Sequence, residues 1–95
     1  IVEYQGLKLD KDSRLFSIDG EKVDLTKKEF ELMKLFLTNM DRIFTREEIL
    51  DNIWGKNIYV VDRTIDVNIN RLRKKLGVYG KNIETKLGYG YGFFK

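Results

Sequence analysis

The chain contains neither cysteine nor histidine. Without cysteine, no disulfide framework and no thiolate metal site can hold the fold, so apolar packing must do so, and a cytosolic setting is compatible. Without either residue there is no Ser-His or Cys-His nucleophile system and no ordinary zinc centre, which argues against an enzyme. Proline is absent too, and no Ser/Gly-rich linker or low-complexity stretch interrupts the 95 residues, so one domain over residues 1–95 is expected. Long apolar runs are missing: Ile58-Tyr59-Val60-Val61 falls far short of the ~18 residues a spanning helix needs, and no charged-then-apolar leader opens the sequence. The expected protein is soluble and cytoplasmic, with no cofactor, no metal and no membrane contact.

What is present is charge, unevenly placed. The formal net charge is only +3, from 18 Lys and Arg against 15 Asp and Glu. Between Asp62 and Lys75, however, five cations (Arg63, Arg71, Arg73, Lys74, Lys75) face two anions (Asp62, Asp66), and the remainder balances at thirteen of each sign. The whole net charge therefore sits in one short segment, the footprint of an element that faces a polyanion. A solvated helix face would give the same count, so a second line of argument is required.

Hydrophobic periodicity supplies the frame. Leu7-Lys8-Leu9, Leu15-Phe16-Ser17-Ile18 and Val23-Asp24-Leu25 alternate around polar turns such as Asp19-Gly20 and predict three antiparallel strands in residues 1–25. Leu25-Thr26-Lys27-Lys28-Glu29-Phe30 then reads as a capping box with a hydrophobic staple, opening a helix that ends near Asn39. The device returns in Phe44-Thr45-Arg46-Glu47-Glu48-Ile49, opening a second helix with Ile49, Leu50, Ile53 and Trp54 on its apolar side. After a connecting loop from Gly55 to Val61, Asp62 can cap a third helix, spanning 62–76, which Gly77 and Gly80 close in left-handed conformations. Residues 83–94 alternate around glycines and predict a β-hairpin turning near Gly88-Tyr89. The expected fold is α+β: a winged helix-turn-helix with an N-terminal antiparallel sheet (1–25), a three-helix core (26–76) and a C-terminal β-hairpin as the wing.

On a helical wheel Ile65, Ile69, Leu72 and Leu76 form one narrow stripe, which must be buried. Opposite lie Arg63, Val67, Asn70, Arg71 and Lys74, with Asp66 and Arg73 on one flank and Thr64, Asn68 and Lys75 on the other. A solvated face explains the charges but not Val67, a β-branched apolar residue directed away from the core. In a DNA major groove the set makes chemical sense. Arg pairs with guanine edges, Asn with adenine edges, and a small apolar group touches a thymine methyl, while outlying lysines and arginines hold phosphates. Asp66 has three readings: acceptor for a cytosine amino hydrogen, orienter of Arg63 or Arg73, or a helix-start charge favoured by the dipole.

Val23 to Leu32, Arg46 to Leu50, Trp54-Gly55, Arg63 to Ile69, Arg71 to Leu76, Ile83-Glu84-Thr85 and Gly88 to Tyr91 together resemble the effector domain of OmpR/PhoB-type response regulators, over essentially the whole chain and in the right order. The resemblance implies a four-stranded N-terminal sheet, hence a further short strand near Arg42-Ile43-Phe44. It implies a preceding receiver domain, phosphorylated by a sensor kinase, binding to direct repeats as a head-to-tail pair, and contact with RNA polymerase through the loop before the third helix, here Lys56, Asn57, Ile58 and Tyr59. By position it puts base contacts on Asp66, Val67 and Arg71, and phosphate contacts on Arg63, Thr64, Asn68, Arg73 and Thr85. The residues themselves add Asn70 as a reader and Lys74 and Lys86 as phosphate ligands. Three departures stand out: Asn68 where a histidine is usual, Thr85-Lys86-Leu87-Gly88 where the wing usually reads Thr-Val-Arg-Gly, and Gly92 where Arg or Lys is usual. Leu87 either stands free at the wing or packs into the base of the hairpin.

Other classes fit less well. The glycines of Gly88-Tyr89-Gly90-Tyr91-Gly92 could suggest a phosphate-cradling loop, but no helix follows them. A winged-helix module that binds protein instead of DNA is the main alternative, and the lysines of the third helix argue against it, since protein interfaces are depleted in lysine at their centres. RNA is weaker still, because an A-form major groove excludes a helix.

Overall fold

The computed structural model describes residues 1–55 and 62–95. Four strands open the chain: β1 (Val2–Tyr4), β2 (Leu7–Asp10), β3 (Leu15–Ile18) and β4 (Glu21–Lys22), antiparallel in that order. Pairing of Leu9 with Phe16 and Leu7 with Ile18 puts Leu7, Leu9 and Phe16 on the buried face and Lys8 outside, the period-two pattern of a half-solvated sheet.

This corrects the strand reading in two places. The sheet begins one strand earlier, at Val2–Tyr4, a three-residue edge whose side chains are at most half-buried and so carry little periodic signal. At its other end β4 stops at Lys22; Val23 still donates its N–H to Phe16 O (2.8 Å), but Val23 and Leu25 turn inward against the core rather than extending a strand. The fourth strand is therefore β1. Arg42-Ile43-Phe44 does not join this sheet: Phe44 makes one isolated bridge, to Tyr91 in the wing.

The first two helices start where their caps predict. Helix α1 (Lys27–Thr38) has the reciprocal Thr26–Glu29 box and ends at Asn39. Helix α2 (Arg46–Ile49) has the same box from Thr45 and Glu48, then widens into a π-helical turn over Leu50–Trp54 that Gly55 ends at φ 91°. Helix α3 (Asp62–Lys75) begins with Asp62 as its first helical residue rather than its cap, and Leu76 lies just past its end. Gly77 adopts the left-handed φ of 59°, but Gly80 closes the helix for a different reason. A Cβ there would sit 2.4 Å from Arg73 O, so glycine lets the 3-10 turn Gly77–Asn82 lie against the end of α3. Strands β5 (Ile83–Lys86) and β6 (Gly90–Phe93) complete the wing, joined by a turn at residues 87–89.

The core is shared by all these parts. Ile65, Ile69, Leu72 and Leu76 are at most 1% exposed and join Phe36, Phe44, Ile49 and Phe93 in one cluster, so the predicted apolar stripe of α3 faces inward.

One charged group is buried with them. Glu29 is 1% exposed; it accepts the Thr26 N–H (2.8 Å) and the Lys75 ammonium (2.6 Å), tying the start of α1 to the end of α3. Burial pushes its carboxyl up, but the Lys75 and Thr26 hydrogen bonds more than offset this and hold it below the ordinary value of 4.5. A carboxyl depressed in the folded state contributes stability above its unfolded pKa, and that contribution is lost as pH falls through the lowered value. Glu29→Gln is therefore expected to cost stability near neutrality and to flatten the acid limb of a melting-temperature series taken below about pH 4.5. Parallel acid limbs for the two proteins would contradict this assignment.

Candidate nucleic-acid interface

With its apolar stripe buried, α3 presents the rest of its surface outward. Arg63, Asn70, Arg71 and Lys74 are exposed, and Val67 is 37% exposed among them. Thr64, Asp66, Asn68 and Arg73 are half-buried along the two flanks. Arg63, Thr64, Val67, Asn68 and Arg71 together line one shallow concavity. Among the described residues, no side-chain hydrogen bond or ion pair engages Arg63, Arg71 or Lys74, whereas their neighbours Asp66, Asn68 and Arg73 are all bonded. The exposed face thus holds uncommitted cations around an apolar spot.

The flanking residues are engaged within the DNA-free domain. Asp66 orients neither Arg63 nor Arg73. Its Oδ1 accepts from Arg46 Nε (3.1 Å) on α2 and from the Tyr91 hydroxyl on β6. Burial pushes the Asp66 carboxyl up, but the Tyr91 and Arg46 hydrogen bonds prevail and keep it below its ordinary range, so it is ionised at neutral pH. Burial, reinforced by Asp66, pushes the Tyr91 hydroxyl up, which keeps it protonated as the donor. The Arg46 guanidinium also lies 5.4 Å from the centre of the Tyr91 ring.

Arg73, expected at a phosphate, braces the wing in the DNA-free domain. Its Nε and Nη2 donate to Ile83 O (3.0 and 2.8 Å), Nη2 also to Thr85 Oγ1 (2.8 Å), and Nη1 to Asn70 Oδ1 (3.3 Å). Asn70 and Thr85 are thereby oriented by the same guanidinium. Asn68 turns its amide nitrogen back to Thr64 O (2.8 Å), which engages one of its two amide hydrogens and leaves the other free to donate. Lys86 is folded along the hairpin: its ammonium pairs with Glu84 (3.0 Å) and lies 5.0 Å from the Phe94 ring centre. Both partners of that ion pair are nearly half exposed, so the pair is weak and can exchange for a phosphate. The expected polymerase-facing residues Lys56, Asn57, Ile58 and Tyr59 lie outside the described residues.

Leu87 is 89% exposed at the tip, which rules out its packing into the hairpin base. Leu87→Arg is accordingly expected to melt within about 0.5 kcal/mol of the parent. It should also bind duplex DNA more tightly, with a new preference for A·T-rich flanks, because an arginine fork suits a narrow minor groove. A stable mutant with unchanged flank preference in footprinting would remove the wing tip from the interface.

The glycines that could have been a phosphate loop are otherwise employed. A Cβ on Gly90 or Gly92 would lie 1.9 Å from Phe44 O or 2.3 Å from Arg42 O, so these positions admit the segment before α2 against β6. Among the described residues no group of His, Cys, Asp and Glu could hold a metal ion, and no helix is long and apolar enough to cross a membrane.

Arg46 and Tyr91 are the site residues that sequence reasoning missed. The signal was an acidic side chain in a basic face that demanded donors, but the donors lie 20 and 25 residues away. No helical wheel relates them.

A family model described as "Transcriptional regulatory protein, C terminal" matches residues 20–93. The chain belongs to this family. It is a winged-helix DNA-binding domain of the OmpR/PhoB response-regulator type, and domains of this family are not enzymes. The phosphate regulon transcriptional regulatory protein PhoB of Pseudomonas aeruginosa is 44% identical over 93 residues, covering 97% of this chain and 41% of that protein. The response regulator ArlR of Staphylococcus haemolyticus is also 44% identical over 93 residues, covering 96% and 42%. The chain thus spans about two fifths of the length of the curated relatives it matches. Among solved structures, the DNA-binding domain of Klebsiella pneumoniae RstA in complex with the RstA box superimposes with a TM-score of 0.87 at 31% identity, covering 98% of this chain and 95% of that one.

Proposed function

We propose that this domain reads double-stranded DNA by placing α3 in the major groove, as the output module of a cytoplasmic two-component response regulator. The observation that carries the reading is the outward face of α3, where Arg63, Arg71 and Lys74, without partners among the described residues, surround the exposed Val67 while the apolar stripe is sealed in the core. Arg71 pairs with a guanine edge, Asn70 with an adenine edge and Val67 with a thymine methyl, and Asp66 completes the reading set. Arg63, Thr64, Asn68 and Lys74 hold phosphates, joined from the wing by Lys86 and by Thr85, whose hydroxyl accepts from Arg73 and keeps its own proton to donate. Arg73 acts on DNA through the Asn70 and Thr85 side chains that it positions.

The relatives support the wider setting. They are named as response regulators and a transcriptional regulatory protein, and each is more than twice the length matched here. A receiver domain phosphorylated by a sensor kinase, binding to direct repeats as a head-to-tail pair, and contact with RNA polymerase through Lys56 to Tyr59 complete the proposal.

Titration with duplex DNA, an RNA hairpin and single-stranded oligonucleotides across a salt series tests it. Duplex is expected to win, with affinity falling steeply with salt and the log-log slope dropping by about 0.9 for each phosphate contact removed, as in Lys74→Ala. Duplex affinity that is flat between low and physiological salt would refute a DNA-facing role for the α3 cations.

A further inference from the structure

Asp66 is the member of the reading face whose geometry is least expected, because a carboxylate beside DNA is repelled by phosphates unless something holds it and something meets it. Both of its protein donors, Arg46 Nε and the Tyr91 hydroxyl, converge on a single oxygen, Oδ1. Among the described residues no buried side-chain polar atom lacks a partner, so Oδ2, which has none, is open to solvent. The side chain as a whole is 36% exposed. One oxygen is thus clamped and the other presented, on the turn of α3 that also carries Val67 and one turn before Asn70 and Arg71.

We infer that Arg46 and Tyr91 are positioning residues that fix Asp66 as a base-edge acceptor selective for cytosine, so that the wing strand sets the base preference of a helix residue without touching that base. The inference rests on the reading of α3 as a major-groove helix. Its chemistry is as follows. The Arg46 cation offsets the carboxylate charge, removing the phosphate repulsion that would otherwise turn the side chain away. The Tyr91 hydroxyl fixes the rotation of the carboxylate, because it approaches from β6 while Arg46 approaches from α2. In the major groove the free oxygen needs a donor. Cytosine offers its amino group, whereas adenine places the N7 acceptor beside its own amino group and guanine and thymine offer only acceptors. The hydroxyl of Tyr91 thereby influences specificity from a residue that is itself 5% exposed and out of reach of a base.

The test is in vitro site selection with the folded domain and its Asp66→Ala, Tyr91→Phe and Arg46→Gln variants, followed by competition between duplexes differing at one position. Asp66→Ala is expected to abolish a cytosine preference at one position of the selected site. Tyr91→Phe and Arg46→Gln are expected to weaken the preference at that same position by about fivefold or more, leaving other positions unchanged. Tyr91→Phe combined with Asp66→Ala should lose no more than Asp66→Ala alone. Tyr91→Phe removes only a hydroxyl from a packed ring, and melting of each variant shows that it is folded; Arg46→Gln gives the same readout from a half-exposed position.

Variants that lose affinity equally on all duplexes, or that melt lower while keeping the parental base profile, would make the cluster a packing clamp and overturn the inference. A cytosine preference that survives Asp66→Ala would overturn it as well. A parent domain that selects no sequence at all would instead refute the reading of α3, which keeps the two failures apart.

Discussion

Gly90→Ala will destabilise the domain by on the order of 3–5 kcal/mol, the largest loss expected of any substitution that adds a single methyl group. Gly90 holds φ at 150°, a conformation that L side chains rarely adopt, and a Cβ there would stand 1.9 Å from Phe44 O and 2.9 Å from Thr45 Cα. Both obstacles are backbone and cannot rotate away. The segment they belong to exchanges Phe44 N–H to Tyr91 O (2.7 Å) and Tyr91 N–H to Phe44 O (2.9 Å), and Asp41 N–H reaches Phe93 O (2.7 Å). These bonds fasten the wing to the start of α2. Gly88 is the control, with a φ of 81° but nothing within 4 Å of a built Cβ, so Gly88→Ala should cost only about 1 kcal/mol. For a domain of this size the Gly90 loss corresponds to a melting temperature lower by roughly 15 °C or more. Equal melting of the two variants would show that the wing is not held by this close approach.

Arg71→Ala will weaken binding to the preferred duplex by about 1–3 kcal/mol, roughly 5- to 150-fold, and will relax preference at one base position. Its melting should stay within about 0.5 kcal/mol of the parent, because Arg71 is exposed and has no partner among the described residues. Arg73→Ala is the informative contrast. It removes the brace on Ile83 O, Thr85 and Asn70, so it should lower stability and weaken the scrambled as well as the preferred duplex, the preferred one somewhat more because Asn70 loses its orientation. Binding isotherms on the preferred and on a scrambled duplex separate the two patterns. Equal losses on both duplexes for Arg71→Ala would identify it as a phosphate ligand instead.

The elements that periodicity and caps specify strongly were legible in the sequence. Thr26 with Glu29, and Thr45 with Glu48, announce two helix starts because the box is a local, reciprocal hydrogen-bond pattern. The four apolar residues of α3 announce its buried stripe, and so the outward set around Val67, because the 3.6-residue period is a property of one segment. Edges were less legible. Val2–Tyr4 is too short and too exposed to alternate clearly, and the bridge from Phe44 to Tyr91 links residues 47 apart through a carbonyl that no side-chain pattern reports. The same limit explains the site. Arg63, Arg71 and Lys74 were found because their place opposite the apolar stripe follows from the period of one helix. The clamp on Asp66 and the brace by Arg73 depend on which distant strand and helix end fold against α3, and that is settled by tertiary packing.

In vitro selection of binding sites from a random duplex pool, run side by side with the parent domain and Arg71→Ala, tests the central claim most directly. The account predicts a recovered half-site with a guanine position that Arg71→Ala loses while the other positions persist. Recovery of no enriched sequence by the parent, or of an unchanged half-site by Arg71→Ala, would contradict the assignment of α3 as the element that reads DNA.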